Sequence, residues 1–446
     1  MLYFNIKNFR VFNEETFLDL RANKRKTKYA ENLITKDYIK KKKNILEKLL
    51  PYSVIYGGNA SGKTSIIKAM ALLRNIILDG RIYSDNPQEI LHSLELFPYL
   101  HDYNKYIEPM KLAIGFIYKK KKYEFVLKIK CMLREEYFYA DREIFEEQLF
   151  INDEEIYFRN STSVIFNGEK FEIGKDEGQE HITKEELFLY SQFKTGKYNA
   201  DFQNILYWFR FHFVVVDDIS NLRTTVEGSL PPYLKSIDLR NKIIDAVTNL
   251  SDFGPQDIFY RVNATEGGNS TEMRAHYNIK GHPKLGIDTP AINTESTGTI
   301  KLVNIALFLV DSLLNGNTVV IDEFDSSLHF ALIKEIVNLY TDNEINSGKG
   351  QIIFTSHNPI FIPLVKIRRD QIYFIEKNSD NYSSSLYSLS DFPSEDVRTS
   401  EAFIKNYLDG KYGALPSFDF KSEIKKALLI IKRLRQDVEK NAASKA

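Results

Sequence analysis

Residues 57–64 read Gly-Gly-Asn-Ala-Ser-Gly-Lys-Thr, a full GxxxxGK[ST] spacing. Small residues at Gly57, Gly58, Asn59, Ala60, Ser61 and Gly62 let successive backbone N–H groups turn inward around phosphate oxygens. A helix starting at Lys63-Thr64-Ser65 would add its positive N-terminus. Lys63 would then reach the β- and γ-phosphates of a nucleotide, and the Thr64 hydroxyl would ligate Mg²⁺. A loop of this kind is shared by kinases, GTPases, helicases and repair ATPases, so other residues must decide among them.

A second constellation is "TVVIDEFDSSLH", residues 318–329. Its short apolar run reads as a buried strand and places Asp322 at the C-terminal tip, where α/β sheets present their sites. Asp322 can hold the Mg²⁺ shell, and Glu323 is placed to polarise an attacking water. Alone, the two acids could also cap the following helix.

The elements around these motifs are legible in outline. "YSVIYG" is a β-rich apolar run, and "TSIIKAMALLRNIIL" has helical periodicity, so the loop sits between strand and helix as a phosphate loop requires. The opening "LYFNIKNFRVF" and "ETFLDL" read as two strands, followed by a basic, weakly patterned stretch to about Leu50. From about Met110 to Glu172 alternation and aromatics indicate antiparallel strands. Residues 183–260 read as mainly helical, and 263–274 as a loop or hairpin tip. Strands and helices then alternate through "TIKLVNIALFLVDSLL", "TVVIDE", "LHFALIKEIVNLYT", "QIIFTS" and "QIYFIEK", the rhythm of a mainly parallel α/β sheet. A basic amphipathic helix closes the chain. The expected division is an N-terminal half-head over 1–175, a mainly helical insertion over 176–290, a C-terminal half-head over 291–390 and a tail over 391–446.

Bulk composition excludes more than it assigns. The 446 residues carry 60 Lys+Arg and 60 Asp+Glu, so net charge gives no general attraction to nucleic acid or membrane. Lysine runs at 24–28, 40–43 and 119–122 read first as solvated loops or hairpin tips. One cysteine, Cys131, rules out an internal disulfide or a multi-cysteine metal site and fits a reducing cytosol. The longest apolar runs are too short or too charged to span a bilayer, so a soluble, cytoplasmic protein without membrane partner is expected.

Taken together, "ESTGT", "IDEFDSSLH" and "FTSHNP" resemble the ABC-type ATPase head of the SMC, DNA-repair and OLD-nuclease group. The resemblance implies a P-loop NTPase of ABC-ATPase head type, with a mixed, mainly parallel sheet, an antiparallel β-subdomain and a helical insertion. It places the signature motif at Glu295–Thr299, the D-loop at Asp325–His329 and the switch histidine at His357. The spacing agrees with one helix between Gly298 and Asp322, and a helix and strand between Asp322 and His357. The resemblance implies ATP and Mg²⁺ as cofactors, with Lys63, Glu323 and His357 catalytic and Thr64 and Asp322 on the metal. Residues 57–65, Arg10, Ser296, Gly298 and Asp325 would contact the nucleotide, although Arg10 in "NFR" also reads as a surface residue. Gln148 and Gln192 are both candidates for the glutamine that senses Mg²⁺ in such heads.

Two departures narrow the likeness. The head halves are separated by about 120 residues, too few for an SMC coiled coil, and no DxD motif follows "QIYFIEK" to make a Toprim nuclease. The tail "DFPSEDVRTSEAFIKNYLDGKYGALP" resembles stand-alone phage-defence ATPases of the AbiL and PARIS type, through Arg398, Tyr407, Tyr412, Gly413 and Pro416. That resemblance implies a homodimer around sandwiched ATP that regulates a separately encoded effector, such as a Toprim nuclease of the RloB kind, after a phage protein or nucleic acid is sensed. The alternative is a RecF- or SMC-like repair ATPase that closes on DNA.

Overall fold

Two sheets of different character arise from two different patterns of hydrophobicity. In the computed structural model, the strands 213–216, 318–321, 351–356, 52–57, 372–377 and 384–388 lie in that spatial order. All neighbours are parallel except the last pair. Their side chains are apolar on both faces, as a parallel sheet covered on both sides demands. The period of two sorts them cleanly. Ile55, Phe213, Val215, Val320, Ile353, Tyr373 and Ile375 enter one core, which includes the helix Lys63–Asp79. Tyr52, Val54, Tyr56, Val214, Val319, Ile321, Ile352, Phe354 and Phe374 enter the other, with the helices Thr297–Asn315 and Phe330–Thr341.

The second sheet has eight antiparallel strands. Strands 3–7 and 16–19 from the chain start join six strands spanning 110–172. Its inner face supplies Phe4, Ile6, Leu112, Ile114, Phe116, Phe125 and Leu127 to the core around the helix Lys63–Asp79. Buried Glu147 in this sheet accepts hydrogen bonds from Tyr157 Oη at 2.6 Å and from the backbone N–H of Phe188 and Leu189, and it pairs with Arg159.

The structure describes all residues except 26–27, 83–94, 100, 135–136, 167, 174–182, 195–199, 218–229, 249–256, 266–267, 283–284, 394–399, 416–419 and 444–446. Met1–Ala414 form one unit and Leu415–Ala446 another, which contains the helix Phe420–Ala443. The expected α/β class, with a mainly parallel sheet and an antiparallel subdomain, is what the chain adopts. Helix Thr297–Asn315 is apolar and long enough to cross a membrane by composition, but most of it is buried in the protein.

Two expectations are corrected. The stretch to Leu50 is a hairpin, Ile34–Lys40 paired with Lys43–Leu49, whose alternation is masked by its lysines. Among the described residues, 176–290 divide between helix and strand rather than being mainly helical. They contribute the edge strand Phe213–Val216 and a three-stranded antiparallel sheet, Asp257–Thr265, Gly268–Asn278 and Gly286–Pro290. The edge strand was hidden because "ILYWFRFHFVVV" passes from helix to strand without a Gly or Pro. A π-helical turn at Trp208–His212 makes the change instead.

His212 ends that π-turn with its ring beside Tyr118 at 4.9 Å. Burial, reinforced by the positive charge of Lys36, pushes its imidazole down to about 4. The unfolded chain would bind a proton at ordinary histidine pH while the folded chain would not. Stability should therefore fall as pH drops from about 6.5 to about 4, by roughly 3 kcal/mol from this residue. Urea unfolding of wild type and His212→Asn across that window checks this, because the variant should lose that part of the pH slope.

Candidate functional site

The parallel strands end together, and the candidate residues lie at those ends. Strand 52–57 runs into the loop Gly58–Gly62 and then into the helix Lys63–Asp79. Gly62 has φ 114°, and a Cβ there would lie 2.8 Å from Val11 Cγ2. A Cβ on Gly57 would lie 2.7 Å from the Ile375 carbonyl oxygen. Glycine is thus required at both positions. Ala60 also takes positive φ, at 60°. Lys63 is buried, and its Nζ donates to the carbonyls of Gly57 at 2.6 Å and Gly58 at 3.0 Å. Asn59, Ala60 and Thr64 face solvent, with Ser65 half-buried.

The acidic side of the site starts where strand 318–321 ends. Asp322 is nearly buried, and its Oδ1 accepts from Thr355 Oγ1 at 2.5 Å. The Glu323 N–H donates to Thr355 Oγ1 at 2.7 Å, and Glu323 itself has φ 45°. This turn directs the Glu323 side chain outward, while Phe324 is buried. Burial lowers the Lys63 pKa, and the carboxylates of Asp322, Glu323 and Asp325 oppose that shift. Those three acids are therefore close enough to act on the phosphate-loop lysine.

Asp325 acts as an anchor within its own chain. Its Oδ2 accepts from Ser356 Oγ and from the backbone N–H of His357 and Asn358, each at 2.9 Å. One carboxylate thus holds the whole turn that carries the exposed His357. Ser296 is the N-cap of helix Thr297–Asn315, accepting from Thr299 N at 3.1 Å. Gly298, in the first turn of that helix, meets the turn Asp325–His329. A Cβ there would lie 2.2 Å from the Ser327 carbonyl oxygen, and Ser327 has φ 65°.

Three residues that carry the site were missed by sequence reasoning. Lys301 is fully buried and its Nζ donates to the carbonyls of Glu323 at 2.7 Å, Phe324 at 3.1 Å and Ser326 at 3.0 Å. Burial pushes this lysine down to about 8 against the pull of Asp325, Glu323 and Asp322. Its signal was a lone cation inside an apolar helix. Thr355 lies inside "FTSHNP", where its residue type alone gives it no role. Ser384, whose Oγ donates to the Ser61 carbonyl at 2.5 Å, carries no signal in the sequence.

Other candidates fall elsewhere. Arg10 has φ 52°, donates to the Glu95 carbonyl and pairs with its carboxylate at 3.2 Å. Lys68, on the phosphate-loop helix, approaches the same carboxylate at 3.8 Å. Gln148 lies in the antiparallel sheet, with its amide 3.4 Å from Glu155. The Gln192 side chain lies outside the described residues, as do Arg398 and Pro416. Tyr407 and Tyr412 stack with Phe374 and Phe403, and Gly413 packs against Tyr387 and Glu376.

The donor set fits a nucleotide triphosphate with a divalent cation. Among the described residues the buried Ser61 hydroxyl has no hydrogen-bond partner, and Ser61 stands just before a helix start whose first N–H groups cannot be satisfied internally. A lysine, a hydroxyl and a carboxylate at one place match phosphate and Mg²⁺ chemistry.

No curated protein is significantly similar in sequence. The solved SMC head domain from Thermotoga maritima aligns with 87% of this chain and 98% of its own, at 13% identity and a TM-score of 0.37. An SMC head bound to the C-winged helix domain of ScpA aligns with 86% and 96%, at 12% identity and a TM-score of 0.42. The family described as "AAA domain, putative AbiEii toxin, Type IV TA system" matches residues 53–362, from the phosphate-loop strand to just past the His357 turn. With the phosphate loop, the Asp322 strand end and the parallel sheet all inside that span, the chain is a P-loop ATPase belonging to this AAA family.

Proposed function

We propose that the protein hydrolyses ATP with Mg²⁺ as a homodimer, and that this cycle controls a separately encoded effector, a nuclease or toxin, in anti-phage defence. The carrying observation is that the phosphate loop follows strand 52–57 and the acids follow strand 318–321 of the same parallel sheet, with the charges of Asp322, Glu323 and Asp325 acting on Lys63. Thr64 and Asp322 would hold the Mg²⁺ ion, which neutralises phosphate charge when bound. Lys63 would stabilise the transferred phosphoryl group, and Glu323 would take the proton of the attacking water. His357, fixed by Asp325 through its backbone, would contact the γ-phosphate.

The composite site follows from the signature helix. Ser296 and Gly298 stand at its N-terminus, where the helix dipole favours an anion, and each would cap the γ-phosphate held by a second copy. A two-fold dimer satisfies both sites at once. The defence role is supported by the family's description and by the likeness of the tail to abortive-infection ATPases. The second reading, an ATPase that closes on DNA, draws on the lysine-rich hairpin tips considered below.

Lys301 is the positioning residue in this scheme. It ties the signature helix to the D-loop, so the surface offered to one nucleotide moves with the acids serving another. Lys301→Met would leave three inward-facing carbonyls without their donor. The expected loss is about 3 kcal/mol or more, read by urea unfolding, with Lys301→Arg retaining most of it.

Lys63→Ala and Glu323→Gln should each reduce ATP hydrolysis by a hundred-fold or more, on the order seen for charge-stabilising groups. Glu323→Gln should also accumulate an ATP-bound dimer in sedimentation experiments. Unchanged turnover in both variants would overturn the ATPase assignment, whereas a monomer under ATP would overturn the composite site alone. Co-purification with and without the neighbouring gene product tests the effector.

A further inference from the structure

The two tetralysine runs, distant in sequence, meet in space. Lys40–Lys43 and Lys119–Lys122 each form a hairpin tip, and the Ile39 N–H donates to the Lys120 carbonyl at 3.0 Å. Both tips place two lysines at positive φ: Lys41 at 46°, Lys42 at 62°, Lys119 at 47° and Lys120 at 60°. Turns of this kind favour Asn and Gly, so four lysines occupy positions for which their backbone is poorly suited. The charges are only partly neutralised. Lys40 and Lys122 pair with Asp153, Lys121 with Asp201 and Lys120 with Asp37. Among the described residues, exposed Lys41, Lys42 and Lys43 have no carboxylate partner.

Lys119 extends this ridge into a cleft of about 390 Å³. Its Nζ donates to Asn204 Oδ1 at 3.0 Å and lies 5.3 Å from the Tyr118 ring centroid. The π-turn then splits the run "YWFRFHF" in two. Trp208, Phe209 and Phe213 turn inward, with Trp208 stacked on Phe116 at 3.8 Å. Tyr207, Arg210 and Phe211 are left lining the cleft with Lys119 and the amides of Gln203 and Asn204. Tyr207 is 44% exposed, its ring 4.8 Å from that of Phe211. The cleft also touches Leu78, near the far end of the helix that begins at Lys63. It is therefore roughly 20 Å from the phosphate loop along that helix.

We propose that the lysine tips and this cleft bind single-stranded nucleic acid, phosphates on Lys41, Lys42, Lys43 and Lys119, and an unstacked base against Tyr207 and Phe211. Cations interleaved with accessible aromatic rings are the chemistry of single-strand binding. An acidic protein would use the cations but not the rings. A duplex keeps its bases stacked and cannot reach rings set inside a cleft. The amides of Gln203 and Asn204 supply donors and acceptors for a base edge.

The test is fluorescence anisotropy of the full chain with labelled oligothymidylate, oligouridylate and duplex DNA, with polyglutamate as competitor. Single strands should bind more tightly than duplex, and the two single-strand probes tell DNA from RNA. Tyr207→Ala should weaken binding about ten-fold or more. Replacing Lys41, Lys42 and Lys43 together by Gln should flatten the salt slope by about 2, at roughly 0.7 per phosphate. Thermal unfolding and ATP turnover without nucleic acid should stay at wild-type levels in both variants. Arg210→Ala serves if Tyr207→Ala lowers stability. The proposal is overturned if no single strand binds at low salt. It is equally overturned if duplex or polyglutamate binds as well and Tyr207→Ala changes nothing, which would mark a general anion patch.

Discussion

One buried ammonium group holds the candidate site in register. Lys301 reaches from helix Thr297–Asn315 to three carbonyls of one turn, at Glu323, Phe324 and Ser326. A buried lysine is costly unless its hydrogens are all used, and here three acceptors match its three donors. The same turn is pressed by Gly298 on the other side, where no side chain fits against the Ser327 carbonyl. Asp325 then carries the constraint onward by gripping the Ser356–Asn358 turn. Helix, acidic turn and histidine turn are thereby one mechanical piece built from polar contacts within a single chain.

Backbone strain is also present at this place. Ala60, Glu323 and Ser327 all have positive φ without being glycine, and such residues persist only where surrounding contacts over-determine them. For Glu323 the contacts are the Thr355 hydroxyl and the Asp322 carboxylate, both accepting from its N–H. For the phosphate loop they are Val11 and Phe12 against Gly62, and Ser384 on the Ser61 carbonyl. These braces come from the antiparallel sheet's first turn and from the antiparallel edge of the core sheet. The second sheet therefore does more than cover a hydrophobic face, since it also fixes the loop that faces the acids.

Legibility followed the reach of each interaction. Motifs whose chemistry is local could be read directly: the glycine loop and the Asp322 strand end. The alternating strands of 110–172 were equally plain, because their period survives in sequence. What escaped depended on partners far away in the chain. Ser384 matters only because it meets Ser61, and Lys301 only because a turn 22 residues later folds over it. Strand Phe213–Val216 escaped because a π-turn, invisible to periodicity, separates it from the preceding helix. The helical reading failed there and again at the start of Asp257–Thr265, where polar residues on the exposed face diluted the alternation of Ile258 and Tyr260, whereas the hairpin reading of 263–274 matches the pairing of that strand with Gly268–Asn278.

The lysine runs show the same limit in the opposite direction. Each alone is well explained as a solvated hairpin tip, and each is one. Their meaning changes only when β-pairing sets them side by side and the π-turn brings Tyr207, Arg210 and Phe211 to the cleft beside Lys119. Net charge could not reveal this, because 60 acids balance 60 bases over the whole chain while several of those acids lie beside the tips. The helix from Lys63 to Asp79 has the phosphate loop at one end and this cleft near the other. A ligand that displaced Tyr207 or the π-turn would press on the end of that helix, and the first turn carrying Lys63 and Thr64 is part of the same rigid rod. Any coupling between cleft and phosphate loop therefore has a physical route through one element, with Arg74 tying its middle to the π-turn through the carbonyls of Phe209, Arg210 and Phe213.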